Sequence, residues 1–393
     1  MSFDDLQREL DSRRDKALYR EREILQSAQQ PHIKSASGEY LSFCSNDYLG
    51  LANHPRIVES FKNAADVFGV GSGASHMVTG HSYHHQALEE ELAEFTGRDR
   101  ALLYTSGYAA NTGVIDALLK RGDAVFQDKL NHASLLDGGL LSGAKFQRYL
   151  HCDMESLALK LECSEARRKL VVSDSVFSMD GNVADIEGLV AQANTHEAWL
   201  MLDDAHGIGV LGETGGGVAE HYGLDQQRLP VLVGTLGKAF GTSGAFVAGS
   251  EALIETLIQF SRSYIYTTAM APAVAAATRT SLKLVQSETW RREHLKELSA
   301  MFACGCRELG LTVLPSQSAI QPIMIGSESR ALAASEALAK NGIMVKAIRT
   351  PTVSTGKARL RVTLSAAHTK EQVQCLLNAL AQIQQEINLD YIP

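Results

Sequence analysis

Several things are scarce in this 393-residue chain. Basic residues are outnumbered, 37 Lys and Arg against 45 Asp and Glu, for a formal net charge of −8. That balance is no footprint for nucleic acid or an anionic membrane, although a local basic pocket for an anionic ligand is compatible with it. Long apolar runs are missing too. The longest relevant uncharged stretch, Ser263 to Thr278, is too short to span a bilayer and contains Thr267, Thr268 and Pro272. The opening residues, Met-Ser-Phe-Asp-Asp-Leu-Gln-Arg, are charged from the start and have no apolar h-region. The expectation is a cytoplasmic protein without a secretory signal. Cysteines are few and scattered (44, 152, 163, 304, 306, 375), and only Cys304 and Cys306 are close, in a helix-like run that points them to different faces. No disulfide framework is needed, because a chain of this length buries about 75 % of its unfolded surface. There is no internal repeat and no low-complexity linker. The histidine cluster His76, His81, His84, His85 has i,i+4 spacing but no Glu in HExxH register and no nearby Cys. It reads as a polar turn and helix start, with no metal.

What is present is an apolar fraction of 45 %, spread along the whole chain, which excludes disorder. Residues 1–30 read as a charged amphipathic helix with a thin stripe of Leu6, Leu10, Ala17 and Leu18, unable to fold alone. From about residue 100, short apolar runs alternate with helical stretches such as Ala109–Lys120 and Asp185–Thr195. The runs are Ala101–Thr105, Ala124–Gln127, Lys169–Ser173, Trp199–Leu202, Val231–Val233 and Ala245–Ala248. Near-continuous apolar strands separated by helices predict an α/β fold with a large, mostly parallel sheet covered on both faces. After about residue 285 the pattern predicts a smaller α+β unit, with helices at Glu288–Leu309, Arg330–Asn341 and Lys370–Ile387 and strands around Met344–Ile348 and Arg359–Leu364. The expected organisation is an N-terminal helical arm (1–50), a large domain (51–285) and a small C-terminal domain (286–393).

Ligands of such sheets bind beyond the carboxyl ends of the strands, so the residues after each run matter most. The first junction, Ser106-Gly107-Tyr108-Ala109-Ala110-Asn111, offers helix-start amides for a phosphate and a tyrosine that could lie against a flat ring. The second, Asn131-His132-Ala133-Ser134, projects an imidazole, and the third, Phe177-Ser178-Met179-Asp180-Gly181, a hydroxyl. The fourth, Asp203-Asp204-Ala205-His206-Gly207, delivers a carboxylate with a histidine three residues on. A buried carboxylate needs a cationic or donor partner. The fifth, Thr235-Leu236-Gly237-Lys238, ends on a lysine suited to a phosphate or a Schiff base. Taken singly, each is equally an ordinary cap or turn.

Two nucleotide motifs can be tested by spacing. A Walker A loop through Gly237-Lys238 needs Gly at 232 and Ser or Thr at 239, where the chain has Leu232 and Ala239. Gly207, Gly209 and Gly212 match G-x-G-x-x-G, the basis of a rival dehydrogenase-like reading, but the Gly-rich 213–217 that follows cannot open a helix. Gly69, Gly71 and Ala74 match loosely after a helical run. Taken together, the strand-end residues supply what pyridoxal 5′-phosphate (PLP) requires: a phosphate cradle, a ring-stacking group, an acid for the pyridine nitrogen and an amine for the aldehyde.

These motifs, with Ser45-Asn46-Asp47-Tyr48-Leu49-Gly50, resemble those of the α-oxoamine synthases among the fold-type-I PLP enzymes. The resemblance runs from Leu10-Asp11-Ser12-Arg13-Arg14 to Ala366-Ala367-His368. It implies that Lys238 binds the cofactor covalently and moves the substrate's α-proton, that Asp203 pairs with the ring nitrogen and that His132 stacks on the ring. His206 and Ser178 would contact its phenolic oxygen, and Gly107, Tyr108 and Thr235 would lie around phosphate and ring. Thr267 or Thr268 would reach the phosphate of the other subunit's cofactor, which implies a homodimer with shared active sites. Asn46 and Arg361 resemble the pair that holds an amino-acid carboxylate, and Arg20 and Thr352 match acyl-substrate positions. The segment Ala347-Ile348-Arg349-Thr350-Pro351-Thr352-Val353 looks like the branch that condenses L-alanine with a pimeloyl thioester, of coenzyme A or an acyl carrier protein, in biotin synthesis. It departs from that branch at Thr350 and Ser354, where prolines are usual. The glycine-using relatives are the alternative within the family, and a non-catalytic cofactor-binding regulator is the alternative outside enzymology.

Overall fold

A computed structural model describes residues 3–387 except residue 17, together with residue 389. Ala17 of the expected N-terminal stripe lies outside the described residues. The chain divides into two compact units. The larger comprises Asn46–Ser178 and Asn182–His294; the smaller comprises the described residues up to Ser45, Met179–Gly181 and those from Leu295 onward.

The larger unit is built on a seven-stranded sheet. Its spatial order is Arg100–Tyr104, Ala245–Gly249, Val231–Thr235, Trp199–Asp203, Lys169–Asp174, Ala124–Asp128, Lys145–Tyr149. Only Ala245–Gly249 runs against the others, pairing antiparallel with both neighbours. The remaining pairings are parallel. Burial explains why these strands read as continuous apolar runs. Val125, Val172, Met201, Val231 and Val233 enter one core, with the helix Gly107–Leu118. Their strand neighbours Phe126, Val171, Leu200, Leu202 and Leu232 enter a second core on the opposite face, with the helices Met154–Glu162 and Ile186–Thr195. Side chains alternate across a strand, so a sheet covered on both faces must be apolar at every position.

The edge strand Lys145–Tyr149 has no such run in the sequence. It pairs with one neighbour, and all of it but Tyr149 is at least partly exposed, so it carries Lys145, Gln147 and Arg148.

In the smaller unit, Ala358–Thr363 lies between Ile320–Gly326 and Lys346–Ile348, antiparallel to both. The helix Glu328–Lys340 packs on these strands and on the helix Lys370–Ile387. A second small sheet also lies in this unit. His32–Ser35 pairs with Gly38–Ser42, which pairs in parallel with Ile343–Met344 through Leu41 and Ser42. The N-terminal stretch is thereby bonded to C-terminal residues. The boundary after the larger unit falls inside the helix Trp290–Glu308, beyond the expected 285. Its first turn is tied to the larger unit, where Arg291 donates to the Leu49 carbonyl (2.8 Å) and Arg292 to those of Val285 and Glu213.

The N-terminal helix is shorter than expected, Asp4–Asp15 and not 1–30. Its stripe is exposed, Leu6 by 50 % and Leu10 by 39 %, so no burial extends it. Further on, Ile24 and Gln26 exchange backbone hydrogen bonds with Ala36 and Lys34 as extended chain. Among the described residues, no helix is long and apolar enough to cross a membrane.

Candidate active site

The larger unit brings the expected residues together at the carboxyl ends of four adjacent parallel strands. Asp203 closes Trp199–Asp203 and is 5 % exposed. Its Oδ1 accepts from the Ala205 amide (2.9 Å) and its Oδ2 from Asn111 Nδ2 (2.6 Å). Next to it, Val231–Thr235 is followed by Lys238, whose Nζ lies 2.8 Å from His206 Nε2. The His206 Nδ1 is 2.5 Å from the Tyr48 hydroxyl, which donates to Asn46 Oδ1 (3.3 Å). One set of donors and acceptors satisfies this row. The lysine ammonium donates to Nε2, Nδ1–H donates to the tyrosine oxygen, and the tyrosine donates onward to Asn46. In that arrangement His206 orients the amine.

On the other side, His132 follows Ala124–Asp128 and caps the helix Ala133–Leu141. Its backbone amide donates to Asp174 Oδ2 (2.6 Å), and its Nδ1 accepts from the Ser134 hydroxyl (2.7 Å). Ser134 Oγ in turn accepts from Asn111 Nδ2 (2.9 Å). Asn111 therefore connects the carboxylate of Asp203 to the imidazole of His132. Surrounding protein lowers the His132 pKa, opposed by Asp203 and assisted by Lys238. Burial and the neighbouring Asp203 charge push Asp174 well above the usual carboxylate range. Burial raises Asp204 to about 7 against the hydrogen bond from Ser175.

The remaining expected residues fall in three places. Gly107 opens the helix Gly107–Leu118, whose cap Ser106 accepts from the Ala109 amide (3.1 Å). No atom lies within 4 Å of where a Cβ on Gly107 would stand. Tyr108, 46 % exposed, bonds Asp137 and stands edge-on to His132. Thr235 is buried against the Gly244 carbonyl, and Ser178 is half-buried after Phe177. Thr267 and Thr268 follow the short helix Arg262–Ile265, with Thr268 bridged to Ser75. In the smaller unit, Arg20 reaches Thr352 Oγ1 (3.4 Å), and the buried Arg361 donates to Thr363 Oγ1 (2.9 Å). Arg359, a neighbour on the same strand, is ion-paired with Asp180 and donates to the Met179 carbonyl.

Tyr48, Asn111 and Ser134 carry roles that the sequence did not assign, although each lies inside a recognised motif. Their partners are far away in the chain, 158 positions for Tyr48–His206 and 92 for Asn111–Asp203. Only their polarity inside otherwise apolar or Gly-Ala segments hinted at them.

The rival dinucleotide reading fails in the structure. The segment after Gly207 forms turns with positive φ at Gly209, Gly212 and Gly215, and the next helix, Gly217–His221, has five residues. The histidine cluster behaves as a helix start: His85 Nδ1 accepts from the Ser82 amide (2.9 Å) and Nε2 faces the Met270 carbonyl (2.8 Å).

The profile of the family described as aminotransferase class I and II matches residues 38–380. The 8-amino-7-oxononanoate synthase of Cellvibrio japonicus is 60 % identical over 95 % of this chain and 94 % of its own. The solved serine palmitoyltransferase of S. paucimobilis with bound PLP–myriocin is 29 % identical, with a TM-score of 0.92 and 98 % coverage of each chain. The solved 8-amino-7-oxononanoate synthase of Francisella tularensis is 30 % identical, with a TM-score of 0.77 over 88 % of this chain and 98 % of its own. With this fold, a family profile over most of the chain and near-full-length relatives at up to 60 % identity, the chain belongs to the aminotransferase class I and II family and, within it, to the 8-amino-7-oxononanoate synthases.

Proposed function

We propose that this protein condenses L-alanine with a pimeloyl thioester, releasing CO₂, free thiol and 8-amino-7-oxononanoate for biotin synthesis, with PLP as cofactor. The observation that carries the reading is the Lys238 amine held 2.8 Å from His206, three residues beyond the strand-end Asp203. The residues fit the cofactor. They comprise a primary amine, a buried carboxylate and an imidazole, with open space over Gly107 at a helix N-terminus where a phosphate is favoured. When bound, PLP supplies an aldehyde for an amine and a cationic ring that accepts the electron pair of a breaking α-carbon bond.

The chain's residues divide the remaining work. Lys238 would hold the cofactor, and its Nζ would be the group that takes a proton from the substrate's α-carbon and returns one. His206 keeps that amine directed, and Tyr48 fixes the His206 tautomer. Asp203 keeps the ring nitrogen protonated, supported by Asn111 and the Ala205 amide. His132, fixed by Ser134 and Asp174, covers one ring face. Ser178 and His206 serve the phenolic oxygen, and Gly107, Tyr108 and Thr235 serve phosphate and ring. Arg361 and Asn46 hold the alanine carboxylate, and Arg20 and Thr352 the acyl substrate. Thr267 or Thr268 would reach the phosphate of the other subunit's cofactor in a homodimer. The thioester comes from coenzyme A or from an acyl carrier protein.

The test is thiol release with alanine or glycine against pimeloyl-CoA, a pimeloyl carrier protein and acetyl-CoA. Turnover with alanine and a pimeloyl donor, at least tenfold above every glycine or acetyl combination, is expected. Preference for glycine with acetyl-CoA would overturn the assignment in favour of the glycine-using branch.

A further inference from the structure

A second cluster of reactive side chains sits at the end of the strand Ala124–Asp128, and nothing above uses it. Asp128, 1 % exposed, accepts from His151 Nδ1 through Oδ1 (3.0 Å) and from the Cys152 amide through Oδ2 (2.8 Å). The half-buried Cys152 places its Sγ 3.7 Å from both ring nitrogens of His151. The Asn182 side-chain amide lies 3.2 Å from His151 Nε2, and its buried oxygen makes no hydrogen bond. Rotation of that amide supplies an acceptor for a protonated Nε2.

Two further observations set Cys152 apart. Its φ is +52°, in the left-handed region, where a glycine or asparagine is the unstrained choice. Strained residues mark functional positions more often than packing positions. Burial alone would lower the His151 pKa, but Asp128 and the Cys152 sulfur outweigh it and hold the ring at about 10. His151 thus stands as a donor beside the sulfur, the kind of setting in which cysteines react. The other cysteines lack this setting. Burial raises Cys44, and Cys306 to about 12, while the exposed Cys304 faces Glu308 Oε1 at 3.5 Å.

We propose that Cys152, His151 and Asp128 form a thiol-exchange site that accepts low-molecular-weight disulfides. The Cys152 thiolate attacks one disulfide sulfur, and a new S–S bond forms as the old one breaks. The departing thiolate takes a proton from solvent. Cys152 is oxidised, and half of the incoming disulfide is reduced.

The experiment is timed reaction of the holoenzyme with 4,4′-dithiodipyridine, with each cysteine quantified by peptide mass spectrometry. Cys152 should react at least tenfold faster than the exposed Cys163, Cys304 and Cys375. His151→Asn should bring its rate down to theirs, and Cys152→Asn, which suits the left-handed backbone, should remove the fast phase. Equal rates in the unsubstituted protein, or a fast phase that survives either substitution, would overturn the proposal. So would one equivalent of tightly held zinc that is lost in Cys152→Asn, because the same three donor types would then be a metal centre.

Discussion

Asp203→Asn keeps the size of the side chain and removes one charge, so it isolates the electrostatic part of the mechanism. Asp203 accepts from two donors, Asn111 Nδ2 at 2.6 Å and the Ala205 amide at 2.9 Å, one on each oxygen. An asparagine has a single oxygen, so one of these bonds is lost and an N–H faces an N–H. More important, the ring nitrogen loses its counter-charge at a position only 5 % exposed. Removing one partner of a buried charge pair costs about 3–5 kcal/mol. At 1.36 kcal/mol per tenfold, kcat should fall by roughly 150- to 5,000-fold. Cofactor should still bind through Lys238 and keep its visible absorption. The assay is thiol release at saturating alanine and acyl thioester. The double variant Asn111→Asp with Asp203→Asn restores a carboxylate–amide bond but leaves the charge one residue further from the ring, and it should not recover kcat. A kcat within tenfold of the unsubstituted enzyme in Asp203→Asn would refute the argument that this carboxylate holds the ring charge.

Arg361→Ala removes the proposed carboxylate ligand and should raise the KM for alanine by about tenfold or more, the loss of one charge-assisted hydrogen bond. The KM for the thioester should stay put, and equal changes in both would contradict the assignment. Tyr48→Phe removes the hydroxyl 2.5 Å from His206 Nδ1 and should lower kcat about fivefold, with cofactor affinity unchanged. Glu89 supplies a pH-dependent test of stability. Burial holds its carboxyl at about 8, against the Leu103 amide bond to Oε1 (2.9 Å). The folded pKa is above the ordinary 4.5, so the folded chain holds the extra proton between those values and loses stability as pH rises through that window. Glu89→Gln keeps the acceptor for Leu103 without the charge. Its melting temperature should exceed that of the parent most at about pH 9, by less at about pH 6, and match it at about pH 4, below the ordinary carboxylate value.

The six apolar strands were legible because nearly all of their residues are buried, so their sequences leave few polar positions, such as Gln127 and Ser173, to confuse the pattern. Lys145–Tyr149 was not, because an edge strand keeps solvent on most of its length and reads as a charged loop. The N-terminal helix was over-read, since the charged pattern of residues 1–30 marks helical propensity but not the burial that sustains it. Strand-end chemistry at His132, Asp203, His206 and Lys238 was visible, because an ionisable group at the end of an apolar run stands out locally. The contacts of Tyr48 with His206 and of Asn111 with Asp203 were hidden, since each partner is brought near only by the fold, whereas Ser134 meets His132 two residues away.

The central claim is that one amine, Lys238, carries the cofactor beside the acid at 203. Borohydride reduction of the holoenzyme, followed by digestion and mass mapping, tests it most directly. The account predicts a single pyridoxyl-phosphate adduct on the peptide containing Lys238, and none in Lys238→Ala. An adduct on any other lysine, with Lys238 unmodified, would contradict it.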